Sequence, residues 1–165
     1  LVLEAAKLVF EEFPGARLVV VGSGDFLPNL VQQAGELGIA DRVEFTGFLG
    51  EERKVEVLRK AHVVVNPSAK EGWGVTVTEA NACGTPVVAS DVPGLKDAVV
   101  DGKTGLLYDG EDGSTLARLI ERALTDRELR STAVAEGPRL VRGVFSTERT
   151  AADTLSLYRR LLARA

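Results

Sequence analysis

The feature that most constrains this chain is an alternation of short apolar runs with longer amphipathic segments. Five runs, "ARLVVVG", "RVEFTG", "HVVVN", "TPVVAS" and "GLLYD", are each too short for a helix, and all but the last contain β-branched residues. Between them lie segments of helical period. Leu1, Ala5, Leu8 and Val9 follow the i, i+4, i+7 spacing until Pro14-Gly15 stops it. A helix from roughly Phe26 to Leu37 is expected next, with Asp25 as N-cap, Pro28 in its first turn and Gly38 at its end. "EERKVEVLRKA" reads as an amphipathic helix, residues Val75 to Cys83 as another stopped by Gly84, and Lys96 to Val100 as a helical turn. From Ser114 onward the pattern is all helix, with an interruption expected at Gly137-Pro138. Strands alternating with helices predict an α/β fold with a doubly wound parallel sheet, Rossmann-like, and a helical C-terminal tail. Continuous apolar strands such as "ARLVVVG" and "HVVVN" are expected to be covered on both faces.

Composition removes several function classes. The 165 residues are 45% hydrophobic and 27% charged, enough for one globular domain with a real core. A net charge of -4 with scattered cations gives no basic face for nucleic acid. No apolar run is long enough to span a bilayer and no signal-peptide pattern opens the chain. The single cysteine, Cys83, rules out a disulfide framework and a cysteine-based zinc site, and His62 is the single histidine. A reduced, cytoplasmic setting is expected. The chain has no methionine and is already in helical register at its first residue, so a preceding segment is expected too.

In a doubly wound sheet, ligands bind beyond the carboxyl ends of the strands. The loops there are "GSGDF", "TGFLG", "NPSAKEGWG" and "SDVPG". The first is not a dinucleotide fingerprint, because Leu27 stands where G-x-G-x-x-G requires its third glycine. Gly22 and Gly24 then serve the turn, or let a flat ligand approach the backbone. The third loop is richer. Gly72 and Gly74 permit close backbone approach, and the helix that begins near Val75 leaves its first amides without intrahelical partners. Those amides and the helix dipole suit a phosphate. Glu79 follows about 6 Å along the axis, and Glu71 precedes the amides in the loop. An elongated ligand with a central diphosphate fits between two carboxylates that accept hydroxyl protons. The plainer alternative is a solvated loop acid and a first-turn helix acid. Against it, Val75, Val77, Ala80 and Ala82 surround Glu79 with apolar neighbours, where an unpartnered charge is costly. Trp73 reads as a packing residue, Cys83 as a small filler, and His62 as a rim or core residue.

The stretch "PSAKEGWGVTVTEANACGTPVVASDVPGLKDAVVDGKTGLLYD" resembles the nucleotide-sugar-binding half of retaining glycosyltransferases of the GT-B fold. Their signature E-x7-E fits Glu71 through Glu79, and "FPGARLVVVGSGD", "RVEFTGFLG" and "FSTERTAADTLSLYRRLL" are similar to flanking segments in order and spacing. The resemblance covers the whole chain, residues 1–165, as a donor-binding domain forming the C-terminal half of a GT-B fold. It implies that Glu71, the candidate catalytic residue, faces the donor sugar with the backbone of Gly72, Trp73 and Gly74. The amides of Val75, Thr76 and Val77 would hold the diphosphate, Glu79 the two ribose hydroxyls, and Gly22, Phe48 and Leu49 the nucleoside. It further implies a UDP-, GDP- or ADP-linked donor, no metal and no other cofactor, and hexosyl transfer by front-face attack with the donor phosphate as base. The acceptor, a glycan, lipid or small molecule, would be bound by an N-terminal domain absent here, which could also bring the protein to the inner membrane.

Two departures qualify the resemblance. Family members often carry Gly-Gly-x-Pro-Glu where this chain has Pro93-Gly94-Leu95-Lys96-Asp97. The Arg and Lys that usually face the diphosphate lie on a segment upstream of the opening helix, with a strand that would sit centrally between "LVVVG" and "HVVVN". A sheet with an incomplete centre is therefore expected. Rival readings are a nucleotide-sugar epimerase of the same architecture, which calls for more acids and histidines in the cleft, and a non-catalytic nucleotide-binding or receiver module. The receiver needs an acid pair after its first strand and a lysine after its last, and neither "GSGDF" nor "YDGED" supplies the set.

Overall fold

The computed structural model describes residues 1–110 and 112–163. Five strands, β1 (Leu18–Val21), β2 (Val43–Gly47), β3 (Val64–Asn66), β4 (Val87–Ser90) and β5 (Gly105–Tyr108), alternate with helices. These are α1 (Val2–Glu12), α2 (Leu27–Glu36), α3 (Glu51–Lys60), α4 (Val75–Ala82) and α5 (Leu95–Ala98), followed by α6 (Gly113–Thr125), α7 (Arg127–Val144) and α8 (Thr147–Leu162). Every strand pairing is parallel. The expected order of elements is the observed one, and so is the mixed α/β class with its helical C-terminal end. The last two residues of the expected tail, Arg164 and Ala165, lie outside the described residues.

Strand β4 is the centre of the fold. All four of its residues are buried, and they divide by alternation. Val88 packs with Ala5 and Val9 of α1, Leu116 and Ile120 of α6, and Leu106 of β5. Val87 and Ala89 face the other way, against Val77 and Ala80 of α4, Leu95 and Ala98 of α5, and Leu58 of α3. Helices thus cover both faces, as a doubly wound sheet requires. A third cluster, Leu3, Ala6, Phe10, Ala34 and Ile39, sets α1 and α2 over β1 and β2. Arg42 ties this region together. Its guanidinium donates to the carbonyls of Phe10, Phe13 and Ala16 and lies 4.0 Å above the Phe10 ring. These carbonyls are at or just beyond the end of α1, where a cation is favoured.

The sheet is interrupted at the expected place. Strands β1 and β2 form one ladder and β3, β4 and β5 another, with no ladder between β1 and β3 among the described residues. The expectation that "ARLVVVG" is covered on both faces fails here. Val19 and Val21 are 40% and 42% exposed, because among the described residues the α1–α2 cluster packs against the Leu18 face of β1 and not against theirs. Strand β3, at the edge of its own ladder among the described residues, is half-buried.

Two local expectations are corrected. Asp25 does not cap α2: Phe26 occupies the N-cap in a helical conformation with no side-chain bond, and Leu27 N–H donates to Gly24 O in the preceding turn. Gly137-Pro138 does not interrupt the C-terminal helices, since α7 runs through it. Gly137 is buried against α4, and a Cβ there would stand 2.6 Å from Asn81 O. The close α4–α7 packing outweighs the one helical hydrogen bond that proline removes. The breaks fall instead at Asp126 and at Phe145-Ser146, where Asp126 and Ser146 cap the following helices.

Candidate functional site

Gly22, Phe48 and Leu49 are brought together by backbone geometry. Gly22, at φ +123°, donates from its amide to Gly47 O at 2.8 Å, and Gly47 itself has φ +65°. Both values fall where side-chain-bearing residues are rarely found, so these positions suit glycine. The bridge sets the turn after β1 beside the turn after β2. Phe48 is 83% exposed at that rim, while Leu49 is half-buried.

The third loop leaves β3 at Asn66, whose Oδ1 accepts from the Ser68 amide and hydroxyl. It then runs through Glu71 to the start of α4. Glu71 is half-buried and its Oε1 accepts from the Gly72 amide at 3.2 Å. Gly74 is the N-cap of α4, and a glycine offers no side-chain oxygen to the first-turn amides. An added Cβ at this position would meet Leu95 Cδ2 at 2.9 Å, so the Leu95 side chain would have to shift. Of the three amides expected to face an anion, one is already engaged: Val75 N–H donates to Trp73 O at 2.6 Å in a tight turn. Thr76 and Val77 N–H have no acceptor among the described residues, and since Val77 is wholly buried while Thr76 is exposed, the accessible anion-binding amide is that of Thr76. The Trp73 ring turns away to meet Phe145 edge-on, with centroids 5.0 Å apart, as a packing residue does. That leaves the Trp73 backbone to shape the loop.

Behind this loop stands Gly94, in the Pro93-Gly94-Leu95-Lys96-Asp97 segment where the chain departs from the family pattern. Gly94 has φ +88°, and a Cβ would lie 2.5 Å from Glu71 O and 3.0 Å from the Gly72 carbonyl. Gly94 O also accepts from the Gly74 amide at 3.4 Å. Asp97 closes the turn by accepting from Gly94 N–H at the start of α5. The segment is therefore a backing for the Glu71 loop.

Glu79 projects from the fifth residue of α4 and is half-buried. Its partner is Lys54 of α3, whose Nζ donates to Glu79 Oε1 at 2.7 Å and to Glu51 Oε1 at 3.0 Å. The Glu79 hydrogen bond, followed by the Glu51 one, raises the Lys54 pKa above its ordinary value, so the ammonium is fully charged near neutral pH. Sequence reasoning missed Lys54. The signal was available, because Lys54 lies one turn before Leu58, which is buried against Val77 and Ala80 of α4. His62 is exposed at the bend before β3, neither core nor cleft, and Cys83 is a partly buried filler beside the α4 core. No group of three potential metal ligands occurs among the described residues, and no helix there is long and apolar enough to cross a membrane. A separate open concavity of about 560 Å³ between α1 and α6, bordered by Leu8, Phe13 and Arg118, includes neither Glu71 nor Glu79.

Comparison with known proteins assigns the architecture. A D-inositol 3-phosphate glycosyltransferase of Corynebacterium urealyticum is 38% identical over 166 residues, covering 96% of this chain and 39% of the relative. The chain thus spans about two fifths of the length of that curated relative. The solved sucrose-phosphate synthase of Thermosynechococcus elongatus superposes with a TM-score of 0.81 at 34% identity, covering 99% of this chain and 43% of that one. The Anabaena protein HepE, solved in complex with UDP-glucose, gives a TM-score of 0.80 at 27% identity over 93% of this chain and 44% of its own. The fold is that of the C-terminal domain of GT-B glycosyltransferases. Residues 1–139 match the family model described as glycosyl transferases group 1, and with the relatives above this shows that the chain belongs to that family.

Proposed function

We propose that the chain is the donor-binding part of a hexosyltransferase that moves a sugar from a nucleoside diphosphate to an acceptor with retention of configuration. The observation that carries this reading is the start of α4, a glycine-capped helix whose Thr76 and Val77 amides are unpaired and lie in sequence between Glu71 and Glu79. Thr76 N–H would hold the diphosphate, with the positive end of the helix dipole adding to the attraction. Glu79 would accept from the ribose hydroxyls and Glu71 from the sugar hydroxyls, orienting the anomeric carbon. Gly22, Phe48 and Leu49 would border the nucleoside. That HepE binds UDP-glucose on a similar scaffold supports a nucleotide-sugar ligand.

In this reading the acceptor arrives on the face from which the nucleotide leaves, and a donor phosphate oxygen takes its proton. Neither glutamate attacks carbon, and no metal is needed where amides and cations meet the leaving diphosphate. The acceptor site and further cations would lie on an N-terminal domain, and the open edges of β1 and β3 would take up a strand between them. The protein would work in the cytoplasm. A titration of the chain with UDP-, GDP- and ADP-linked hexoses tests the reading. One nucleotide series is expected to bind, and Glu79→Ala to weaken it by about tenfold or more. Absence of binding by all three, or binding indifferent to Glu79, would refute it.

A further inference from the structure

The cation that meets Glu79 comes from a different element of the fold. Lys54 sits in the first turn of α3, immediately after the Phe48-Leu49 turn, and reaches across to α4. Lys54 and Glu79 are only 24% and 30% exposed, so their ion pair is screened less than a pair on the open surface. Resting on the donor-site reading above, we propose that Lys54 is a positioning residue for the donor ribose. It holds the Glu79 carboxylate through Oε1 so that Oε2 is presented to the ribose hydroxyls.

Several observations converge on this role. Glu79 Oε2 has no protein donor among the described residues, while Oε1 is engaged at 2.7 Å. No other lysine or arginine among the described residues forms an ion pair with Glu71 or Glu79. Glu51, itself 82% exposed, accepts from the same ammonium at 3.0 Å from its own helix and adds a weaker hold on Lys54. The contact also spans the interruption of the sheet. Strand β2 leads into α3 and β3 leads into α4, and these strands belong to separate ladders. The Lys54–Glu79 bond therefore helps set the distance between the nucleoside-side turn and the ribose carboxylate.

The experiment is isothermal titration of the 165-residue chain with UDP, GDP and ADP, then of the tightest one beside its 2′,3′-dideoxy analogue. The variants are Lys54→Met, Lys54→Arg, Glu51→Gln, Glu79→Gln and the Lys54→Met/Glu79→Gln pair. Lys54→Met is expected to weaken the ribonucleotide about tenfold and the dideoxy analogue less than about twofold. Lys54→Arg should recover most of the loss, and Glu51→Gln, which leaves the Glu79 contact in place, should cost about threefold. On the Glu79→Gln background, Lys54→Met should add nothing. Equal or tighter ribonucleotide binding by Lys54→Met, or an equal loss for both nucleotides, would overturn the proposal. The two readings fail differently. If Glu79→Gln does not distinguish ribose from dideoxyribose, the donor-site reading falls and this one with it. If Glu79→Gln does and Lys54→Met does not, only the role of Lys54 falls.

Discussion

Replacing Gly94 by alanine tests whether the turn before α5 shapes the Glu71 loop. Two costs combine at this position. A side chain at φ +88° is strained by about 1–2 kcal/mol wherever it occurs. The new Cβ would also lie 2.5 Å from Glu71 O, so the loop must retreat by about half an ångström to reach even the tight 3.0 Å limit. Gly102 supplies the control, because it has φ +73° with nothing within 4 Å of an added Cβ. Gly102→Ala should therefore show the conformational cost alone, and Gly94→Ala a total loss of about 2–4 kcal/mol in urea denaturation. The excess should appear in binding as well. A displaced Glu71 loop mispositions the sugar end of the ligand, so affinity for a nucleotide sugar should fall by about tenfold or more, with little change for the nucleoside diphosphate itself. If Gly94→Ala and Gly102→Ala give the same stability and the same ratio of the two affinities, the Gly94 turn does not shape the Glu71 loop.

Two further outcomes follow from the packing and the caps. Arg42→Ala removes the donors that close the end of α1 at Phe10, Phe13 and Ala16, and should cost about 2–3 kcal/mol in the same denaturation assay. Arg42→Lys should restore only part of this, since an ammonium cannot reproduce the fork. Asp112 caps α6 and is held at a pKa of about 2 by the Ser114 hydroxyl and then the Thr115 amide, against an ordinary value of 3.8. A native pKa below the unfolded one gives stability that is present in full above the unfolded value and is lost as pH falls through the native one. The thermal midpoint of the unmodified chain should then exceed that of Asp112→Ala by about 3 °C near neutral pH, and the gap should close between about pH 4 and pH 2.

The element order and the α4 loop were legible because their signals are local. Apolar runs, helix-stopping glycines such as Gly38 and Gly84, and the glycine-flanked start of α4 act within a few residues of where they appear. What escaped the sequence depends on contacts between distant segments. Asp25 looks like a cap, but the turn from Gly24 to Leu27 places Phe26 there instead. Pro138 looks like a break, yet Gly137 seats α7 so closely on Asn81 that the helix continues. Gly94 looks like an ordinary turn glycine until the Glu71 carbonyl is seen against it. Lys54 looks like one of many surface lysines, and only the packing of α3 on α4 aims it at Glu79. The exposed Val19 and Val21 show the reverse case, an apolar pattern whose partner layer is not present on that face.

Amide chemical shifts test most directly whether a nucleoside diphosphate binds at the start of α4. The chain, labelled with nitrogen-15, would be titrated with UDP, GDP and ADP in turn. One of them is expected to shift the amides of Gly72, Gly74, Thr76 and Val77 most strongly, with smaller changes at Gly22 and Phe48, and Glu79→Ala to suppress these shifts at the same ligand concentration. No shifts from any of the three nucleotides, or shifts confined to the groove around Leu8 and Arg118 between α1 and α6, would contradict it.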